Sequence, residues 1–106
     1  MDVSPALEGR IRELAARLDR FSEHVMRCHV IVEPSAHHKH HGFLYDFRID
    51  LAVPDEEIAI RHAHSADHAH EDPYLALRDA FRAARRKLED YERRRRGDVK
   101  SQRSAV

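Results

Sequence analysis

The chain has 106 residues, which bounds it to one domain with a modest core. It is 42% hydrophobic and 36% charged, and its 19 Lys and Arg balance 19 Asp and Glu, so it is globular and highly charged but not a uniformly basic nucleic-acid binder. A single cysteine, Cys28, excludes an internal disulfide and suits a reducing, cytoplasmic setting, and no apolar run is long enough for a signal peptide or a membrane span.

Ser4 followed by Pro5 predicts the start of a first helix, since a hydroxyl can cap and proline needs no amide partner in the first turn. Leu7, Ile11, Leu14, Leu18 and Phe21 give that helix an apolar stripe, and Ser22 to His24 break it. Its wet faces carry Arg10, Arg12, Arg17 and Arg20 among Glu8, Glu13 and Asp19. A short strand follows over Cys28 to Glu33, centred on Val30, Ile31 and Val32, with Cys28 expected as a small core residue. Pro34 to Gly42 reads as a polar hairpin loop. The clearest strand is Phe43 to Val53, where Phe43, Tyr45, Phe47, Ile49, Leu51 and Val53 alternate with the polar Asp46, Arg48 and Asp50, giving one buried and one wet face. Pro54 and Asp55 turn the chain into a third strand over Glu57 to His62, and His64 to Glu71 lead onward as a loop.

The segment from Asp72 to Lys100 predicts a long amphipathic helix. Asp72 and Pro73 repeat the cap-then-proline start. Tyr74, Leu77, Phe81, Ala84, Leu88 and Tyr91 recur at three- and four-residue steps as a core seam, and Arg78, Arg82, Arg85 and Arg86 flank it. Arg93 to Arg96 close the helix, with Gly97 as the expected stop and 97–106 as a disordered basic tail. The result is an α+β domain over residues 4–96: two helices packed on one face of a small antiparallel sheet, in the order α-β-β-β-α.

Charge is unevenly placed. From Arg78 onward there are eleven Lys and Arg against five Asp and Glu, so the rest of the chain carries the matching acidic excess. A helix that gives one face to a core and another to guanidinium groups is suited to an anionic partner, because the planar fork matches phosphate oxygens. The competing reading is a solvated face, in which Glu89, Asp90 and Glu92 pair with neighbouring arginines.

The ten histidines are concentrated in two tracts. His37, His38, His40 and His41 stand in the first hairpin loop, and His62, His64, His68 and His70 precede the long helix. Neutral imidazoles bind borderline metals, which makes His37, His38, His40, His41, His62 and His64 candidate ligands, but neither tract has a standard ligand spacing and no metal or cofactor is expected. A Gly-rich phosphate loop, a nucleophile elbow and paired cysteines are all absent from the sequence, so no enzymatic activity is expected.

DPYLALRDAFRAARRKLEDY resembles the second helix of the ribosome hibernation promoting factor family, which includes ribosome-associated inhibitor A. SPALEGRIRELAARLDRFSEHVMRCHVIVE resembles that family's first helix and following strand, and LYDFRIDLAVPDEEIAI its central hairpin. The resemblance covers about residues 4–96. It implies a β-α-β-β-β-α fold and binding to the small ribosomal subunit, in the channel that messenger and transfer RNA would occupy, so that idle ribosomes are silenced under stress or in stationary phase. It implies RNA contacts from Arg78, Arg82, Arg85, Arg86 and Lys87 on the second helix, with Arg93 beyond them, and from Arg10 and Arg17 on the first. Tyr74 matches a family position near the helix start, although its spacing places it in the core. Only Met1 to Val3 precede Ser4, so the family's first strand is not in this sequence: either the chain start is truncated, or the sheet has three strands and the next strand offers an open edge for a homodimer. Two alternatives share this fold: a His-rich metal-binding protein and a homodimeric interaction domain.

Overall fold

The computed structural model describes residues 3–34, 45–62 and 72–97 in full, together with the backbone of 98–104. The elements are α1 (Pro5–Phe21), β1 (Arg27–Pro34), β2 (Tyr45–Val53), β3 (Glu56–His62) and α2 (Pro73–Ser104).

The local signals act as physical chemistry requires. Ser4 Oγ accepts from the Leu7 amide at 3.1 Å, and its carbonyl takes the Glu8 amide at 2.9 Å. Asp72 serves α2 in the same way: its Oδ1 accepts from the Tyr74 amide at 2.8 Å. Each such cap is worth about 1 kcal/mol relative to alanine. α1 ends where Ser22 turns extended, its own amide still reaching the Leu18 carbonyl at 3.2 Å. Pro54 and Asp55 link β2 to β3. Asp55 has φ of 72°, the left-handed conformation that a turn demands at this position and that aspartate tolerates.

The sheet is antiparallel throughout, in the order β1-β2-β3. Register runs from Arg27↔Ala52 to Pro34↔Tyr45 on one side of β2 and from Phe47↔His62 to Val53↔Glu56 on the other. This phase sends Phe47, Ile49, Leu51, Val53, Ile58 and Ile60 to the helix side, where all are buried. α2 covers them with Leu77, Phe81, Leu88 and Tyr91, and its alanines Ala76, Ala80 and Ala84 allow close approach to the sheet. α1 leans chiefly on α2 through Leu7, Leu14 and Leu18. The inner face of β1, carrying Cys28, Val30 and Val32, is therefore only half-buried. Tyr91 also hydrogen-bonds from its hydroxyl to the Pro54 carbonyl at 3.0 Å, pinning the middle of α2 to the β2–β3 turn.

Three expectations are corrected. Gly97 does not stop α2, which continues to Ser104, so the backbone of 97–104 is helical. One glycine costs a helix only about 1 kcal/mol, and the arginines before it are good helix formers. Tyr74 is 41% exposed, because it lies at the rim of the face that α2 buries through Ala76, Leu77, Ala80 and Ala84. Asp50 is buried despite lying on the polar face of β2. It sits mid-strand between His29 and Ala59 in register, with Arg48 Nε 3.3 Å from its carboxylate. The hairpin loop after Pro34 and the loop into α2 lie outside the described residues.

Candidate nucleic-acid interface

Arg10 and Arg17 are seven residues apart, two turns of α1, and so share a face beside Leu14 and Leu18. Arg78, Arg82 and Arg85 step by four and three along α2 beside Phe81. Because α1 packs on α2, the two rows meet. Between them lies a groove of about 280 Å³, with Leu14, Leu18 and Phe81 as its floor and the five guanidinium-bearing side chains as its walls. No single segment of sequence contains this arrangement.

The arginines are held lightly. Glu13 accepts from Arg10 at 2.6 Å and from Arg17 at 3.3 Å, bridging the two. The Arg10 hydrogen bond above all, with a smaller contribution from Arg17, holds the Glu13 carboxyl below its ordinary range. Arg78 pairs with Asp79 at 3.2 Å, and Arg85 reaches Glu89 at 3.8 Å while stacking 4.4 Å over the Phe21 ring. Arg82 is exposed and has no ion pair among the described residues. Solvent-exposed pairs of this kind are weak, so a phosphate can replace the carboxylates at little cost.

A second depression of about 700 Å³ lies at the C-terminal end of α1, where Arg20, Arg93 and Arg96 gather around the Ser22–His24 turn. Its wall holds a small polar latch. Ser22 Oγ donates to Glu92 Oε2 and accepts from the His24 amide at 3.1 Å, and His24 Nδ1 lies 2.8 Å from the same carboxylate. The His24 ring meets Tyr91 edge-on, with centroids 6.2 Å apart. Burial pushes the Glu92 carboxyl upward, but the hydrogen bonds from Ser22 and His24 and the nearby His24 and Arg95 charges outweigh it, leaving the group below its ordinary 4.5. A carboxyl depressed in the folded state stabilises that state above its unfolded value of 4.5, and the contribution is lost as pH falls through the folded value. Glu92→Gln should therefore melt below the parent chain at neutral pH, and the difference should shrink as pH falls through the folded value, in thermal melts followed by circular dichroism.

The remaining sequence candidates lie elsewhere. Lys87 is on the opposite flank of α2, where Nζ donates to the Ala59 carbonyl of β3 at 3.3 Å. Arg86 is exposed but does not line the groove. Arg93 faces the second depression and pairs with Asp90. His62 ends β3 opposite Phe47, whereas His37, His38, His40, His41 and His64 lie outside the described residues. Among the described residues no three His, Cys, Asp or Glu side chains converge as a metal site. Burial, then the Asp19 charge, raises the Cys28 thiol, which disfavours the nucleophilic thiolate. Arg20 and Arg96 were not among the sequence candidates. The signal for Arg96 was present: the four-and-three step Arg78, Arg82, Arg85, Glu89 continues to Arg93 and Arg96.

The model of the family described as sigma 54 modulation protein / S30EA ribosomal protein matches residues 1–96, from before α1 through the run Arg93–Arg96. The chain belongs to this family. This is the hibernation promoting factor family indicated by the sequence resemblance, and its members are ribosome-associated modulation factors not known as enzymes. No curated protein and no solved structure matches the chain. Among the described residues, no helix is long and apolar enough to cross a membrane.

Proposed function

We propose that the protein is a hibernation and translation-inhibition factor that binds small-subunit ribosomal RNA through the α1–α2 groove. The observation that carries this reading is the convergence of Arg10, Arg17, Arg78, Arg82 and Arg85 on one groove in a member of a ribosome-associated family. Phosphates of an RNA backbone would displace Glu13, Asp79 and Glu89 from their arginines, and the second depression with Arg20, Arg93 and Arg96 would extend the contact along α2. Bound in the messenger and transfer RNA channel, the domain would act by occupancy and needs no catalytic group or cofactor. The near-zero total charge fits a factor whose affinity comes from one local field rather than from overall attraction.

Co-sedimentation with purified small subunits tests the reading directly. With five arginines on phosphate, log affinity against log salt should fall with a slope on the order of −4, a loss of roughly two to three decades between about 50 and 200 mM salt. A flat response would indicate a ribosomal protein, not RNA, as the contact.

A further inference from the structure

The two edges of the sheet are treated differently. At β3, Lys87 donates to the Ala59 carbonyl at 3.3 Å, and Arg94 reaches Glu56 at 3.1 Å, so helix cations guard that edge. Among the described residues, no side chain hydrogen-bonds the main chain of β1, and the strand pairs only with β2. Its centre is Val30, Ile31 and Val32, with none of the charges that normally blunt an edge. Unmatched amides and carbonyls along such a strand are a template for another strand.

We propose that β1 is a self-association surface: two copies of this chain pair their β1 strands antiparallel about a two-fold axis at Val30, joining two three-stranded sheets into one. What selects a second copy is the strand's own sequence. With Val30 opposite its symmetry mate, Arg27 faces Glu33 of the other copy, and the pair occurs twice. Both residues are exposed and lie on the open face of the sheet. Cys28 then faces Val32, and Met26, 70% exposed, falls opposite the exposed Pro34. Moving the axis one residue either way separates Arg27 from Glu33. An axis perpendicular to the sheet also puts both helix layers on the same side. The half-buried rows of Cys28, Val30 and Val32 then meet beneath them and become covered. The contact is isologous and closed, so it stops at a dimer.

The test is a charge exchange read by sedimentation equilibrium of the full chain. The parent should show a concentration-dependent mass rising from 12.4 kDa toward twice that value. Arg27→Glu and Glu33→Arg each convert two attractive cross-strand pairs into two repulsive ones and should each weaken the dimer about tenfold or more. The double variant R27E/E33R restores opposite charges across the axis and should return the affinity to near that of the parent. Both sites are exposed, and circular dichroism of each variant verifies that the monomer fold is kept. A parent that stays at 12.4 kDa at near-millimolar concentration overturns the proposal, as does a double variant that associates no better than the single ones. The groove arginines are untouched in all three variants, so small-subunit binding is scored independently.

Discussion

Replacing Arg78, Arg82 and Arg85 together by Glu should abolish association with small ribosomal subunits. The three line one wall of the α1–α2 groove, and the exchange turns three local cations into three anions. Each lost phosphate contact removes affinity, and each new carboxylate repels the backbone, so a loss of at least about a hundredfold is expected near 0.1 M salt. The fold should survive. Arg82 and Arg85 are exposed and Arg78 half-exposed, and their ion pairs with Asp79 and Glu89 are surface pairs worth about 1 kcal/mol or less. Pelleting assays with circular dichroism on the same samples separate the two effects. The discriminating comparison is Lys87→Glu, on the opposite flank beside Ala59, which should retain most of the binding. Equal losses at Lys87 and in the triple variant would mean that net charge, and not the groove, is what the ribosome senses.

The largest loss of stability is expected at the contact of α2 with the sheet. Leu88 is completely buried, in the seam between Ala84 and Tyr91 that faces β2 and β3. Leu88→Ala removes its apolar area from the core and leaves a cavity that a helix pinned on either side of Leu88 cannot easily close. Fixation here is by the Asp72 cap at one end and the Tyr91 hydroxyl on the Pro54 carbonyl further along. The cost should be about 2–5 kcal/mol, a large part of the stability of so small a domain. The melting temperature should drop by roughly ten degrees or more in a calorimetric scan. Leu75→Ala, off the buried seam and 44% exposed, is the matched control and should change little. Similar effects at both positions would mean that α2 is held by its own helical propensity and not by packing.

Periodicity carried the local architecture. The apolar steps of α1 and α2 and the strict alternation of β2 are properties of neighbouring residues, so the sequence alone determined the five elements, their order and the side of each that is buried. Caps were equally legible, because Ser4 and Asp72 act on amides only two or three residues away. The limits appear where an outcome depends on what lies at a distance. Gly97 carries a local stop signal, yet nothing in its surroundings requires a left-handed residue, and the helix runs through. Tyr74 has the right step for the core but lies at the rim of the face that α2 buries. Asp50 has the spacing of a wet residue but is closed in by strands on both sides. The site divides in the same way. Sequence marked the arginines, since their spacing puts them on helix faces. Only the packing of α1 against α2 decided which of them act together: it joined Arg10 and Arg17 to Arg78, Arg82 and Arg85, sent Lys87 to the β3 edge, and drew in Arg20 beside Arg93 and Arg96. A helix face is fixed by 3.6-residue geometry along one segment, whereas a groove is fixed by how two such faces are rotated against each other, and that rotation is set by the shared core of Leu14, Leu18, Phe81 and the sheet beneath.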